Sequence, residues 1–254
     1  MIKLTRLSPP NELTAKKVTQ FTKNYKEKGT VVWDKPYIKK RLLEMSHQKC
    51  AYCECLLVPE KSQYMEVEHF WPKKPFYEKV VEWENLLPSC KACNSKKGTH
   101  RTDLEPIIEP TQINPQAHLY LKAYRFYDKT SLGETTIRVL GLNRLTNVWF
   151  DIGEGIADIF SNVLEELDEF SEISDILKKQ KKEKRIFRKI KSLLKNSQAT
   201  SKYCAVTATI LFTTKQDNQT TFYQNIKTKM QALDIWKEEL TKLENEAKKY
   251  ILEK

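Results

Sequence analysis

Two Cys-x-x-Cys pairs, Cys50/Cys53 and Cys90/Cys93, limit what this chain can fold into more than any other feature. Two residues between the cysteines let one tight turn present both sulfurs to the same ion. Two such turns complete a tetrahedral thiolate shell, the pattern of a closed structural Zn²⁺ site. Whatever lies between the pairs must then fold around that ion. The intervening segment is short-patterned and broken by Pro59, Pro72, Pro75 and Pro88, which suits loops and short strands rather than long elements. Cys55 could compete with Cys53 as a ligand, although its spacing to Cys50 is less usual. Cys204 sits in an apolar run and reads as a core thiol.

Composition narrows the class. No apolar run approaches the roughly 18 residues of a membrane span, and the opening MIKLTRLSPP lacks a signal-peptide core. A cytoplasmic protein with no membrane association is expected, in which six cysteines favour metal ligation over disulfides. The net charge is +11, and residues 178–195 hold ten Lys or Arg against one Glu. An isolated charge run is ordinarily a solvated helix face, but a basic stripe also suits a polyanion. Lys181, Lys182, Lys184, Arg185 and Arg188 are the candidate nucleic-acid contacts there.

Periodicity gives the rest of the organisation. Residues 11–28 carry weak helical periodicity, and Pro36 suits a first helical turn ahead of Ile38, Leu42, Leu43 and Met45. Residues 105–115 contain three prolines and read as a connector. The runs 119–127 and 134–140 read as two strands of a hairpin turning through 128–133. Helix is expected from about Leu142, with Ile156, Ile159, Phe160, Val163, Leu164 and Leu167 forming one stripe. Ile186, Ile190, Leu193 and Leu194 give the basic segment an apolar edge. Residues 203–212 are buried but of either type. A last helix is expected to run through Ile226, Met230, Leu233, Trp236 or Leu240, Leu243, Ala247 and Tyr250 as an intramolecular seam.

Alone, the four cysteines could equally describe a zinc ribbon that only binds nucleic acid. The residues between them, VEHFWPK and WENLLPSCKACNSKKG, resemble an HNH (ββα-metal) nuclease. The resemblance implies a β-hairpin carrying an acid-His pair, a closing helix and one divalent ion between them. It implies His69 as general base, Glu68 and Asn94 as ligands of the catalytic ion, and Asn85 as the central Asn that holds the loop. Glu at 68 and Asn at 94 depart from the commoner Asp and His, which favours a hard, oxygen-ligated Mg²⁺ or Mn²⁺. Lys73, Lys96 and Lys97 are expected near the phosphate path, and Trp71 and Trp83 in the module's core.

The likeness extends over about residues 30–150. Trp33, Pro36, Ile38 and Gln48 to Glu54, then EPIIEPTQINPQAHL and TTIRVLGLNR, resemble the PtuB group of Septu-type anti-phage defence, also found with some retrons. That resemblance implies an ABC/SMC-like ATPase of the PtuA type as partner. It also admits a retron reverse transcriptase with its RNA–DNA product, and DNA or RNA as substrate. The fold expected is α+β, mainly α. It comprises an N-terminal helical arm (1–45), a zinc-stabilised HNH core (46–104), a connector and hairpin (105–150) and a helical C-terminal region (151–254). The rival readings are a catalytically silent zinc module and a stand-alone restriction or homing-type enzyme.

Overall fold

The computed structural model describes residues 1–57 and 65–254, so Pro59 lies outside the described residues. The chain is α+β and mainly helical, with two two-stranded sheets among the described residues. It divides into two units. Met1–Tyr120 with Phe126–Asn143 form the first, and Leu121–Arg125 with Arg144–Lys254 the second.

In the first unit, helix α1 (Ala15–Lys28) starts at Thr14, whose hydroxyl accepts from the Lys17 amide, and ends at left-handed Gly29. Helix α2 (Pro36–Met45) begins on Pro36 as the sequence suggests and buries Ile38, Leu42 and Met45. Strands β1 (Met65–His69) and β2 (Leu86–Cys90) pair antiparallel, Glu68 opposite Leu87 and His69 opposite Leu86. Helix α3 (Lys91–Lys97) follows β2 without a gap, giving the ββα order. Arg6 staples the loop ahead of β2: its guanidinium donates to the carbonyls of Leu86 at 2.6 Å, Glu84 at 3.1 Å and Trp83 at 3.2 Å.

The expected hairpin is corrected. Both of its strands, β3 (Leu119–Lys122) and β4 (Arg125–Asp128), come from the first run alone. The tip residues Ala123 and Tyr124 have φ of 45° and 60°, the positive values that a two-residue hairpin turn requires. The second run is instead helix α4 (Ser131–Leu140). Its β-branched residues suggested a strand, yet Thr130 caps the start, Gly141 at φ 56° caps the end, and Thr136, Val139 and Leu140 bury one helical face. Thr136 also donates to the Leu132 carbonyl at 2.7 Å and accepts from the Ile108 amide at 2.8 Å. Caps and burial outweigh a propensity difference of a few tenths of a kcal/mol per residue.

Gly133 has no room for a side chain, because a Cβ there would lie 2.1 Å from the His118 carbonyl oxygen. Gly133→Ala is therefore expected to lower the melting temperature, with an overpacking cost of about 1–3 kcal/mol. An exposed helical glycine would instead gain up to about 1 kcal/mol from alanine. The sign of the shift in thermal denaturation decides between the two.

The second unit is helical: α5 (Thr146–Phe170), α6 (Ile176–Asn196), α7 (Cys204–Thr213), α8 (Phe222–Ala232) and α9 (Glu238–Lys248). Helix α7 covers the run left open by its sequence and buries every residue from Cys204 to Leu211. A helix apolar all round has no face to betray its period, which is why its type was ambiguous. The single last helix expected is two. The chain breaks at Asp234, φ 55°, a left-handed position that Asp tolerates, and Ile235 then fills the core. No helix among the described residues is long and apolar enough to cross a membrane.

Candidate functional site

The two cysteine knuckles meet. Cys50, Cys53, Cys90 and Cys93 are all buried, and their sulfurs lie within 4.8 Å of one another. Cys53 Sγ and Cys90 Sγ are 3.7 Å apart. That is far beyond a disulfide bond of about 2.05 Å. It matches the roughly 3.8 Å edge of a tetrahedron built on Zn–S bonds of about 2.3 Å. Cys55, although buried nearby, is not one of the four converging ligands. Backbone bonds fix the first knuckle: the Cys50 amide donates to the Cys55 carbonyl and the Ala51 amide to the Pro88 carbonyl of β2, each at 2.9 Å. The second knuckle is the cap of α3, where Cys90 Sγ accepts from the Cys93 amide at 3.4 Å. The four-cysteine set thus locks the strand–helix junction that aims α3.

Strand alternation puts Glu66 and Glu68 on one face of β1. Asn94 and Lys97, three apart on α3, reach that face together. Asn94 Nδ2 donates to Glu66 Oε2. Lys97 Nζ lies 2.6 Å from Glu68 Oε1 in an ion contact, and donates to the His69 carbonyl at 2.8 Å. Both members of this pair are buried. Lys97, expected on the phosphate path, is thus turned inward, because its stem follows the inner face of α3 and Glu68 supplies the countercharge. Lys96 is exposed. Burial pushes the Glu68 carboxyl up to about 7, against the pull of Lys97 and then Lys73.

His69 is buried at the end of β1, and its Nε2 lies 2.9 Å from the Val80 carbonyl oxygen. A carbonyl only accepts, so Nε2 carries the hydrogen and Nδ1 keeps a lone pair. Nδ1 has no hydrogen-bond partner. Burial, and then the positive charge of Lys73, hold the imidazole down to about 3, so it is neutral at physiological pH. Asn85 plays the part of a loop holder. Its Oδ1 accepts from the Trp71 amide at 2.7 Å, and its Nδ2 donates to the carbonyls of Lys79 at 2.9 Å and Trp71 at 3.2 Å. Lys73 is half-buried, with its ammonium 4.8 Å from the centre of the Trp33 ring. Trp83 is buried as expected, while Trp71 is half-buried and meets Phe76 edge-on.

Sequence reasoning singled out Glu68, His69, Asn85 and Asn94, and the fold gathers them around β1, the loop before β2, and α3. It missed Glu66. The signal was available, since alternation in a strand ending Glu-Val-Glu-His puts both acids on one side.

In the second unit, the apolar edge of α6 is buried as expected through Ile186, Ile190, Leu193 and Leu194. Two of the five candidate contacts, Lys182 and Arg185, pair with Glu169 and Glu166 of α5. Lys181, Lys184 and Arg188 are exposed.

Comparison with known proteins agrees with this arrangement. Residues 50–100 match the HNH endonuclease family. The chain is 39% identical to the Septu protein PtuB of Bacillus thuringiensis over 99% of its own length and 95% of that relative's. It is 30% identical to the Septu protein PtuB of Bacillus mycoides over 52% of this chain and 55% of that one. No solved structure matches significantly.

Proposed function

The chain belongs to the PtuB family of Septu proteins and is an HNH endonuclease, and from that premise we propose that it hydrolyses phosphodiester bonds with His69 as general base beside a divalent ion held by Glu68 and Asn94. The observation that carries the reading is the neutral imidazole of His69. It is anchored through one nitrogen and unpartnered at the other, in the residue that follows Glu68 on β1. Glu66, already in contact with Asn94, would supply a further oxygen to the same ion. Carboxylate and amide oxygens suit Mg²⁺ or Mn²⁺. Such an ion would relieve the negative charge that grows on the phosphate. His69 Nδ1 takes the proton of the attacking water, Val80 and Asn85 hold the base and its loop in place, and Lys73 meets the substrate phosphate. The four cysteines hold Zn²⁺ in a structural role.

Ion binding carries its own pH dependence. Glu68 must be ionised to act as a ligand, and its carboxyl sits at about 7. Protons therefore compete below that value and not above it. Mn²⁺ affinity measured by calorimetry is expected to fall by about tenfold per pH unit on the acid side of 7. Glu68→Gln should weaken binding and flatten that slope. A slope unchanged in Glu68→Gln would remove Glu68 from the ligand set.

The exposed basic edge of α6 gives nucleic acid a second hold. Replacing Lys181, Lys184 and Arg188 with Gln is expected to weaken binding of any sequence. It should also reduce the salt slope by about 0.7–0.9 for each phosphate no longer neutralised. Unchanged affinity and slope in a filter-binding titration would assign that charge to a protein partner. For such a partner we take an ABC/SMC-like ATPase of the PtuA kind, working with this chain as nuclease in anti-phage defence. No observation favours a retron component, and the proposal does without one.

The decisive test is incubation of the purified chain with DNA and with RNA, in Mg²⁺ or Mn²⁺, alone and with the ATPase. Ion-dependent cutting supports the reading. Absence of cutting under every condition, with zinc still bound, would leave a zinc-stabilised nucleic-acid binder as the better account.

A further inference from the structure

Trp33 lies at a bend in the stretch between α1 and α2, outside the residues that match the HNH family. Its ring nevertheless meets the centre of the site from two sides. The edge-on contact with the His69 imidazole has centroids 4.8 Å apart and planes at 84°. The Lys73 ammonium stands 4.8 Å from the centre of the same ring. Behind it, Trp33 packs with Val18, Phe21 and Tyr25 onto the buried cluster of Val32, Val80 and Val81. Val80 is also the residue whose carbonyl accepts from His69.

We infer that Trp33 is a positioning residue of the nuclease site, fixing the plane of the His69 ring by a perpendicular ring contact and holding the Lys73 ammonium on its face. The inference rests on the nuclease reading, since it gives Trp33 a part in the reaction through His69 and Lys73. The physical reasons are two. A single hydrogen bond to Val80 leaves an imidazole free to swing about that bond, and an aromatic wall perpendicular to it removes the freedom. A lysine stem has four rotatable bonds, and a cation–π contact restrains the charge near where a phosphate would arrive. The N-terminal arm would thus be part of the site rather than a support outside it.

Trp33→Leu removes the aromatic face and keeps apolar volume against Val80. Trp33→Phe restores a ring. With melting temperature and zinc content held near wild type, the leucine variant is expected to lose kcat by roughly tenfold to a hundredfold and to raise KM. The phenylalanine variant should recover most of both. Lys73→Met should raise KM, and adding it to Trp33→Leu should raise KM no further. Nitrogen-15 spectra of the histidine rings give a readout independent of cutting. His69 is expected to show one Nε2–H tautomer in wild type and a mixed signal in Trp33→Leu. Wild-type kinetics together with an unchanged His69 signal in the leucine variant would overturn the inference while leaving the nuclease intact. An inactive wild type would sink the nuclease reading itself. In that event, or if Trp33→Leu fails to fold, the His69 spectrum of Trp33→Met, which keeps apolar bulk without a ring, still decides the clamp: a single Nε2–H tautomer there overturns it.

Discussion

His69→Ala is expected to lower the rate of nucleic-acid cleavage by on the order of 10²–10⁴, the usual cost of removing a general base, while melting temperature and zinc content stay close to wild type. The separation follows from where His69 sits. Among the described residues its side chain makes one polar contact, from Nε2 to the Val80 carbonyl, and losing one neutral hydrogen bond costs about 1 kcal/mol. The β1–β2 pairing and the cysteine knuckles that hold the junction are untouched by the change. His69→Gln sharpens the test: its amide can reach the Val80 carbonyl as Nε2 does but has no basic nitrogen, so it should be nearly as slow as alanine. A rate within tenfold of wild type in either variant would mean that another group takes the proton. Because burial and Lys73 keep the imidazole neutral far below physiological pH, no acidic limb from His69 itself is expected between pH 5 and 8. Loss of activity in that window should instead follow Glu68 and the ion.

How much of this was legible in the sequence depended on whether a residue's role is local. The cysteine spacing, the Pro36 helix start and the apolar edge of α6 are written in neighbouring residues, and they were readable. Asn85 and Asn94 were singled out through resemblance alone, because their contacts, Asn85 to Trp71 and Lys79 and Asn94 to Glu66, are not marked by their neighbours in sequence. The α4 helix was misread since TTIRVL favours a strand locally. Burial of Thr136 against the Ile108 amide, which decides the matter, is a contact across distant sequence. Lys97 and Trp33 were illegible for the same reason. Charge alone gave no sign that Lys97 faces Glu68 inside, and the placement of Trp33 against His69 exists only after α1 and the Val80–Val81 segment have packed.

Loss of the zinc set should be the most damaging change to the first unit. Structural zinc modules draw about 10–16 kcal/mol of apparent binding free energy from their ion, against a net stability of about 5–15 kcal/mol for a whole domain. The β1–β2 sheet is two strands of five residues, too little to stand alone. Cys93→Ser should therefore abolish bound zinc and strip hydrogen-exchange protection from the Cys50 and Ala51 amides, whose bonds to the Cys55 and Pro88 carbonyls depend on the knuckle. Helix α7 is in the other unit, lies under apolar cover along its length and owes the cysteine cluster nothing, so its amides should keep their protection. Cys55→Ala and Cys204→Ala should each retain one zinc per chain, since neither belongs to the converging four. Protection at Cys50 and Ala51 that survives Cys93→Ser would mean that these thiols pack as a reduced core without an ion. The aim of α3, and with it the reach of Asn94 to Glu66, would then have to come from the apolar contacts of the strand–helix junction alone.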